Sequence, residues 1–339
     1  MPRAVRTDIV QPDGRHVYLY GAYAPPPADY QAPSMPNGTY QRRWNPLRRE
    51  WVLVAASRQG RTFLPERTDC PLCPSRPGHS SEIPASHFEA AVFENRFPAM
   101  VPARPAGGLC EVVVYTDEHE GSFATLPADR LAQLAEVWTD RYRDLSSRRG
   151  IRYVFIFENR GEQVGVTLHH PHGQIYAYPF IPPVAAGELR RQTPGCLQCR
   201  LVADELKGRR RILINASGIV AYVPGYARWP YEVHVATRAH REALPSLTPA
   251  GRRALLSAMQ RIARAYDRLF QVPMPYMMAM HQASAGRPVA QGHLHVEFYP
   301  VLRDQGKLKY LAGSESGAGV FINDTLAEES ADRLRAVLD

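Results

Sequence analysis

Hydrophobic positions along this chain fall into two patterns. Two long stretches carry apolar residues at helical spacing. In the first, about 127–147, Leu131, Leu134, Trp138 and Tyr142 line one face, and Pro127 suits a first-turn position. In the second, about 248–270, Leu255, Met259, Ile262 and Tyr266 do the same behind Thr248-Pro249. Such stripes predict core-facing helices rather than cofactor boxes. Shorter runs rich in β-branched and aromatic residues predict strands at 50–55, 89–93, 111–115, 151–157, 219–224, 231–236, 277–280 and 293–300. Residues 1–40 lack such periodicity and carry Pro25, Pro26, Pro27, Pro33 and Pro36. They predict a mobile arm laid over the body or over a neighbouring subunit.

The order of elements repeats. A C-x-x-C motif, strands, a histidine, a long helix, a strand and a His-x-His appear once in each half. Cys73 to His119 is about 46 positions and Cys199 to His240 about 41; His119 to His170 is about 51 and His240 to His293 about 53. A Tyr-Pro follows each His-x-His, at Tyr178-Pro179 and Tyr299-Pro300. Repetition on this scale implies two copies of one module. Antiparallel strands with one long helix fit an α+β layer better than a βαβ parallel sheet. The expected organisation is an arm at 1–40 and tandem modules at 41–190 and 191–339.

Composition narrows the setting. The 339 residues are 45% hydrophobic and 22% charged, with a net charge of +8. That excess suggests an anionic partner, a nucleic acid or a phosphorylated small molecule. Lys and Arg are spread rather than blocked, which disfavours a nucleic-acid stripe. A 20-residue apolar span and a signal peptide are both lacking, so no membrane role and a cytoplasmic location are expected. Thiols stay reduced there, and paired cysteines then point to metal rather than to disulfides. Cys110 stands apart as a small buried apolar residue.

Each half supplies two thiolates and two imidazoles at matching offsets: Cys70, Cys73, His119 and His170, then Cys196, Cys199, His240 and His293. Four sulfur and nitrogen ligands make a closed tetrahedral zinc site, which holds structure rather than activating water. A redox C-x-x-C needs a helix N-terminus to lower a thiol pKa, and Pro71-Leu72 in a loop does not suggest one. In an extended His169-His170-Pro171-His172-Gly173-Gln174, His170 and His172 project to one face. With His170 on zinc, His172 is left as a neutral imidazole, a good nucleophile toward phosphorus. Gly173, Gln174 and the arginines Arg58 and Arg61, just past a strand, suit a phosphoryl group. Exposed solubilising arginines are an equal reading of that last pair. The residues alone therefore point to covalent nucleotidyl or phosphoryl transfer through His172.

His170-Pro171-His172-Gly173-Gln174 resembles the active-site signature of the galactose-1-phosphate uridylyltransferases, within the histidine-triad superfamily. The resemblance runs from about Arg42 to the C-terminus. It includes Asn45-Pro46-Leu47 with Trp51, the first C-x-x-C, Phe157-Glu158-Asn159, the segment 227–232 and Phe298-Tyr299-Pro300. It implies that His172 becomes uridylylated, with Gln174 on the phosphoryl oxygens and Arg58 and Arg61 on phosphate. Leu72, Phe93 and Asn95 match nucleoside positions, and Asn159 and Thr167 further phosphate contacts. It implies zinc at the first cluster, a sugar site in the second module, UDP-glucose and galactose 1-phosphate as substrates, and a homodimer. Some family members hold a second metal with a glutamate and three histidines. The matching residues here are Glu188, His281, His295 and Glu297, with a glutamate in the last position and iron as the alternative metal. The family's glutamine near the C-terminus is not evident, and Glu315 and Asn323 stand as candidates for the sugar hydroxyls.

Two other functions compete. An ADP-glucose phosphorylase on the same fold would use inorganic phosphate as acceptor, and the altered sugar loop motivates it. Gly173 weighs against it, since such relatives tend to carry serine there. A zinc-containing nucleic-acid-binding protein would explain the C-x-x-C pairs and a pI of about 9.3. It leaves Gly173-Gln174 beside His172 without a purpose.

Overall fold

The expected strands form, and the structure, a computed structural model, describes residues 5–102, 107–191, 195–286 and 292–339. It divides into two units. One comprises Met1–Ile156, Thr167–Gly187 and Ser284–Ala290; the other comprises Phe157–Val166, Glu188–Ala283 and Gln291–Asp339.

In the first unit the chain forms β1 (Arg6–Val10), β2 (His16–Ala24), a separate hairpin of β3 (Tyr40–Asn45) and β4 (Glu50–Ala55), β5 (His87–Glu94) and β6 (Leu109–Val114). Helix α1 (Ala128–Ser147) follows, then β7 (Tyr153–Arg160), which runs on into the second unit's residues, and β8 (His172–Tyr178). The sheet order is β1-β2-β5-β6-β8, antiparallel at each step. Directly opposed residues share a face. Phe93, Val112 and Gln174 therefore form one row, and Ala91, Val114 and His172 the next. Glu111 points the other way, and Arg141 of α1 meets it there at 2.6 Å. Helix α1 thus covers one face and leaves His172 and Gln174 on the other. The loop before β5 packs on that second face, burying Cys70, Leu72, Cys73, Ile83 and Ala85 against Val17, Leu19, Phe93 and Val112.

The expected N-terminal arm is corrected by β1 and β2; residues 1–4 lie outside the described residues. β2 pairs with β5, and Val17, Tyr18, Leu19 and Tyr20 are at most 3% exposed. Val17 and Leu19 face the loop carrying Cys70. Tyr20 donates to Asp140 of α1, and Arg141 lies over the Tyr18 ring. A strand buried on both faces shows no alternation of polar and apolar residues, so its pattern does not read as a half-buried strand.

Helix α2 (Pro183–Arg190) carries Glu188 near its end. The second unit then repeats the plan of the first, with α3 (Leu197–Gly208), β9 (Ile212–Ala216), β10 (Ile219–Tyr222), β11 (Val233–Thr237), α4 (Pro249–Leu269), β12 (Tyr276–His281), β13 (His295–Pro300) and α5 (Ala327–Val337). Its order β9-β10-β11-β13-β12 is antiparallel throughout. Thr248 caps α4 by accepting from the Gly251 N–H at 3.1 Å. β11, α4, β12 and β13 therefore correspond to β6, α1, β7 and β8, and the class is α+β.

Candidate active site and metal centres

The first C-x-x-C lies in the loop packed on the β5–β6–β8 face, His119 just past β6 and His170 just before β8. Their ligand atoms lie within 4.8 Å of one another. His119 Nδ1 is 3.2 Å from Cys73 Sγ, and His170 Nδ1 is 3.6 Å from Cys73 Sγ and 3.9 Å from Cys70 Sγ. Zinc bound tetrahedrally at about 2.3 Å from sulfur and about 2.0–2.1 Å from nitrogen sets its ligands roughly 3.3–3.8 Å apart. The donor set and its spacing therefore fit zinc. His170 Nε2 donates to the Thr116 carbonyl at 2.7 Å, which leaves the Nδ1 lone pair facing the two cysteines, as a zinc site would need. The Cys73 thiol, donating to Cys70, and the nearby His170 hold the Cys70 sulfur's pKa well below the ordinary thiol range.

The second cluster copies this geometry. His293 Nε2 donates to the Thr237 carbonyl at 2.8 Å, while its Nδ1 lies 3.2 Å from Cys196 Sγ and 3.3 Å from Cys199 Sγ. His240 Nδ1 is 3.8 Å from Cys199 Sγ. The four ligand atoms again lie within 4.8 Å and suit zinc. Unlike the first motif, this one starts a helix: Cys196 is the N-cap of α3, and its sulfur accepts from the Cys199 N–H at 3.2 Å. Burial pushes the Cys199 thiol up to about 11, the opposite of a redox-active thiol.

His172 opens β8, two residues past His170. Its Nδ1 donates to the His170 carbonyl at 2.7 Å, so the Nε2 lone pair is the one available for chemistry. Burial lowers its pKa and keeps the ring neutral. Gln174 stands one step along the same face, beside the row of Phe93 and Val112. Leu72 belongs to the cluster under that face. The Asn95 N–H donates to the Cys110 carbonyl, and its side chain accepts from the Phe97 N–H. Arg58, in the turn Ala56–Gly60, donates to the Phe97 carbonyl at 2.9 Å and bonds Tyr176 of β8. Arg61 follows; its charge also reaches Tyr176, whose hydroxyl burial pushes up to about 12. The Thr167 carbonyl accepts from the Leu64 N–H at 2.8 Å. The first unit thus gathers these candidates around β5, β6 and β8, whereas Asn159 sits on the part of β7 assigned to the second unit.

In the second unit His295 repeats His172: its Nδ1 donates to the His293 carbonyl at 2.7 Å. Its Nε2 faces carboxylates instead, Glu297 Oε1 at 3.5 Å and Glu188 Oε2 at 3.9 Å. His281 stacks on it at 4.9 Å, with Nδ1 3.0 Å from Glu188 Oε2 and Nε2 3.7 Å from Glu297 Oε2. Two imidazoles and two carboxylates within 4.8 Å suit a divalent cation with oxygen and nitrogen preference.

The two sugar-site candidates lie in the loop near the C-terminus, after β13. The Glu315 carboxylate is taken up by Lys309 and by the Ala312 and Ile322 N–H groups. Asn323 donates to the Ala227 and Trp229 carbonyls and accepts from Thr325. Glu315 thus braces its own loop, and Asn323 ties that loop to residues 227–229. Sequence reasoning gave no site role to His234 and Glu232; His234 lies buried beside both Glu232 and Glu297. The available signal was two polar residues at i and i+2 within the apolar run of 231–236.

Comparison with known proteins agrees with this geometry. Residues 100–182 match the model of the galactose-1-phosphate uridyl transferase N-terminal domain, and 190–339 that of its C-terminal domain. A galactose-1-phosphate uridylyltransferase from Thermotoga maritima is 38% identical over 86% of this chain and 97% of its own. A solved uridylyltransferase superposes with a TM-score of 0.77 at 32% identity, covering 88% of this chain and 98% of its own. An ADP-glucose phosphorylase from Arabidopsis thaliana shares the fold, with a TM-score of 0.68 at 20% identity over 88% of this chain and 99% of its own. The paired thiolate–imidazole clusters, the free Nε2 of His172 and matches covering both halves agree: the chain belongs to the galactose-1-phosphate uridylyltransferase family.

Proposed function

We propose that this chain exchanges UMP between UDP-glucose and galactose 1-phosphate through a covalent bond to His172. The observation that carries the reading is the hydrogen bond from His172 Nδ1 to the His170 carbonyl, which aims an unprotonated Nε2 along the Gln174 face. In the first half-reaction Nε2 attacks the α-phosphorus of UDP-glucose. The N–P bond forms as the bridging P–O bond breaks, and glucose 1-phosphate leaves. The imidazole then carries positive charge, which the His170 carbonyl stabilises at Nδ1. In the second half-reaction a phosphate oxygen of galactose 1-phosphate attacks the same phosphorus, the N–P bond breaks, and UDP-galactose departs. Gln174, Arg58 and Arg61 meet the charge on the transferring group, and Leu72, Phe93 and Asn95 hold the nucleoside. Asn159 and Thr167 are further phosphate contacts.

Zinc at the two cysteine–histidine clusters supplies structure, fixing His170 and so the start of β8. The Glu188, His281, His295 and Glu297 cluster is read as an alternative metal site of the second module, with iron or another divalent ion that accepts oxygen ligands as occupant. A homodimer is proposed on the family resemblance, and a cytoplasmic location on five cysteines without a disulfide. No helix among the described residues is long and apolar enough to cross a membrane.

The substrate assignment is tested by pairing each donor with its acceptor: UDP-glucose with galactose 1-phosphate, and ADP-glucose with inorganic phosphate. The reading expects UDP-galactose from the first pair at least about 100-fold faster than ADP from the second, a difference of about 2.7 kcal/mol in transition-state binding. The reverse preference would assign the phosphorylase reaction.

A further inference from the structure

The two modules differ at one pair of facing positions. Gln174 of β8 lies opposite Val112 of β6, and at the corresponding register Glu297 of β13 lies opposite His234 of β11. Replacing an amide by a carboxylate thus comes with replacing an apolar neighbour by an imidazole. Glu232, His234 and Glu297 are at most 6% exposed, and buried polar groups of this kind persist only when paired. Their pairing is directional. Glu232 Oε2 accepts from the Arg228 and Trp229 N–H groups at 2.7 and 3.0 Å, and its Oε1 lies 2.9 Å from His234 Nε2. His234 Nε2 also faces Glu297 Oε1 at 3.4 Å. Tyr299 donates its hydroxyl to the other oxygen, Oε2. His234 and Tyr299 thus each approach one Glu297 oxygen, and the same oxygens face the cluster, Oε1 toward His295 and Oε2 toward His281.

We propose that His234 is a positioning residue that, anchored by Glu232, fixes the Glu297 carboxylate for a divalent cation held with Glu188, His281 and His295. This rests on reading that cluster as a metal site. Partners behind a metal ligand commonly alter affinity by 10–100-fold when removed.

The test uses the full chain with its zinc retained, dialysed against a mild chelator and then titrated with Mn²⁺, free ion being read by electron paramagnetic resonance. The variants are His234→Leu, His234→Gln and His234→Asn. Glutamine can put its amide N–H near the Nε2 position, and asparagine cannot reach it. The expected result is one Mn²⁺ per wild-type chain, binding 10–100-fold weaker in the Leu and Asn variants and within about threefold of wild type in the Gln variant. Zinc content checks folding in each, and if His234→Leu loses zinc, the Gln and Asn variants decide. Equal Mn²⁺ affinity in all four proteins would overturn the role of His234 and leave the metal site standing. No Mn²⁺ bound by the wild type would overturn the metal reading and this inference together.

Discussion

One hydrogen atom decides the chemistry of His172. With Nδ1–H given to a carbonyl, only Nε2 can attack, and only while the ring is neutral. Burial lowers the His172 pKa, so the neutral form persists to lower pH than in an exposed histidine. Formation of the covalent intermediate should therefore be flat through neutral pH and fall only below about 6.5, the ordinary histidine value. Rapid-quench rates between pH 5 and pH 8, an interval taken around that value, would read this. A midpoint above that value would contradict it. Gln174 offers a second test at this scale. Gln174→Glu puts a negative charge where the second module has Glu297, and should slow the first half-reaction by about 10²–10³-fold. A rate within about threefold of wild type would mean that Gln174 does not meet the phosphoryl group. The paired histidines and cysteines were legible in the sequence because their spacing repeats. His234 was not, because a buried histidine within an apolar strand reads as a core position.

At the scale of elements, β6 and α1 are tied by a buried ion pair. Arg141 and Glu111 are fully buried, their two hydrogen bonds measure 2.6 and 3.0 Å, and Asp144 adds a third at 2.8 Å. Breaking such a pair strands a charge, so Arg141→Ala should destabilise the protein by about 3–5 kcal/mol. Replacing Arg141 and Glu111 together by methionine and leucine should recover most of that loss. Urea unfolding of both proteins measures it, and a double variant no better than the single one would count against the argument. Helices α1 and α4 were legible because each keeps an apolar stripe over many turns and begins at a proline or a capped Thr-Pro. β2 was hidden by burial on both faces. α3 escaped because its first turn is a metal motif whose cysteines read as loop.

For the whole molecule, the repeat organises everything else. The same order of strands, helix and Cys/His clusters appears twice, and at the facing strand positions the copies differ, Gln174 opposite Val112 in one and Glu297 opposite His234 in the other. The α+β class and the two modules could be read from recurring spacings. The N-terminal strands could not, since they precede the first C-x-x-C, whereas β9, which stands beside β10 as β2 stands beside β5, follows the second. The clusters also differ in cover. Cys70 and Cys73 are 1% and 8% exposed, whereas Cys196 and Cys199 are only half-buried. If both clusters carry zinc, a strong chelator should take it from the second cluster first, in two resolved phases, and Cys70→Ser should disturb the His172 strand more than Cys196→Ser. Single-phase release would speak against that ranking. The central claim is the covalent histidine, and a single-turnover experiment tests it most directly. Stoichiometric protein is mixed with radiolabelled UDP-glucose without acceptor, as wild type and as His172→Asn. The account predicts a burst of glucose 1-phosphate near one equivalent, with label retained on wild-type protein and absent from the variant. No burst in the wild type, or one that survives in His172→Asn, would contradict it.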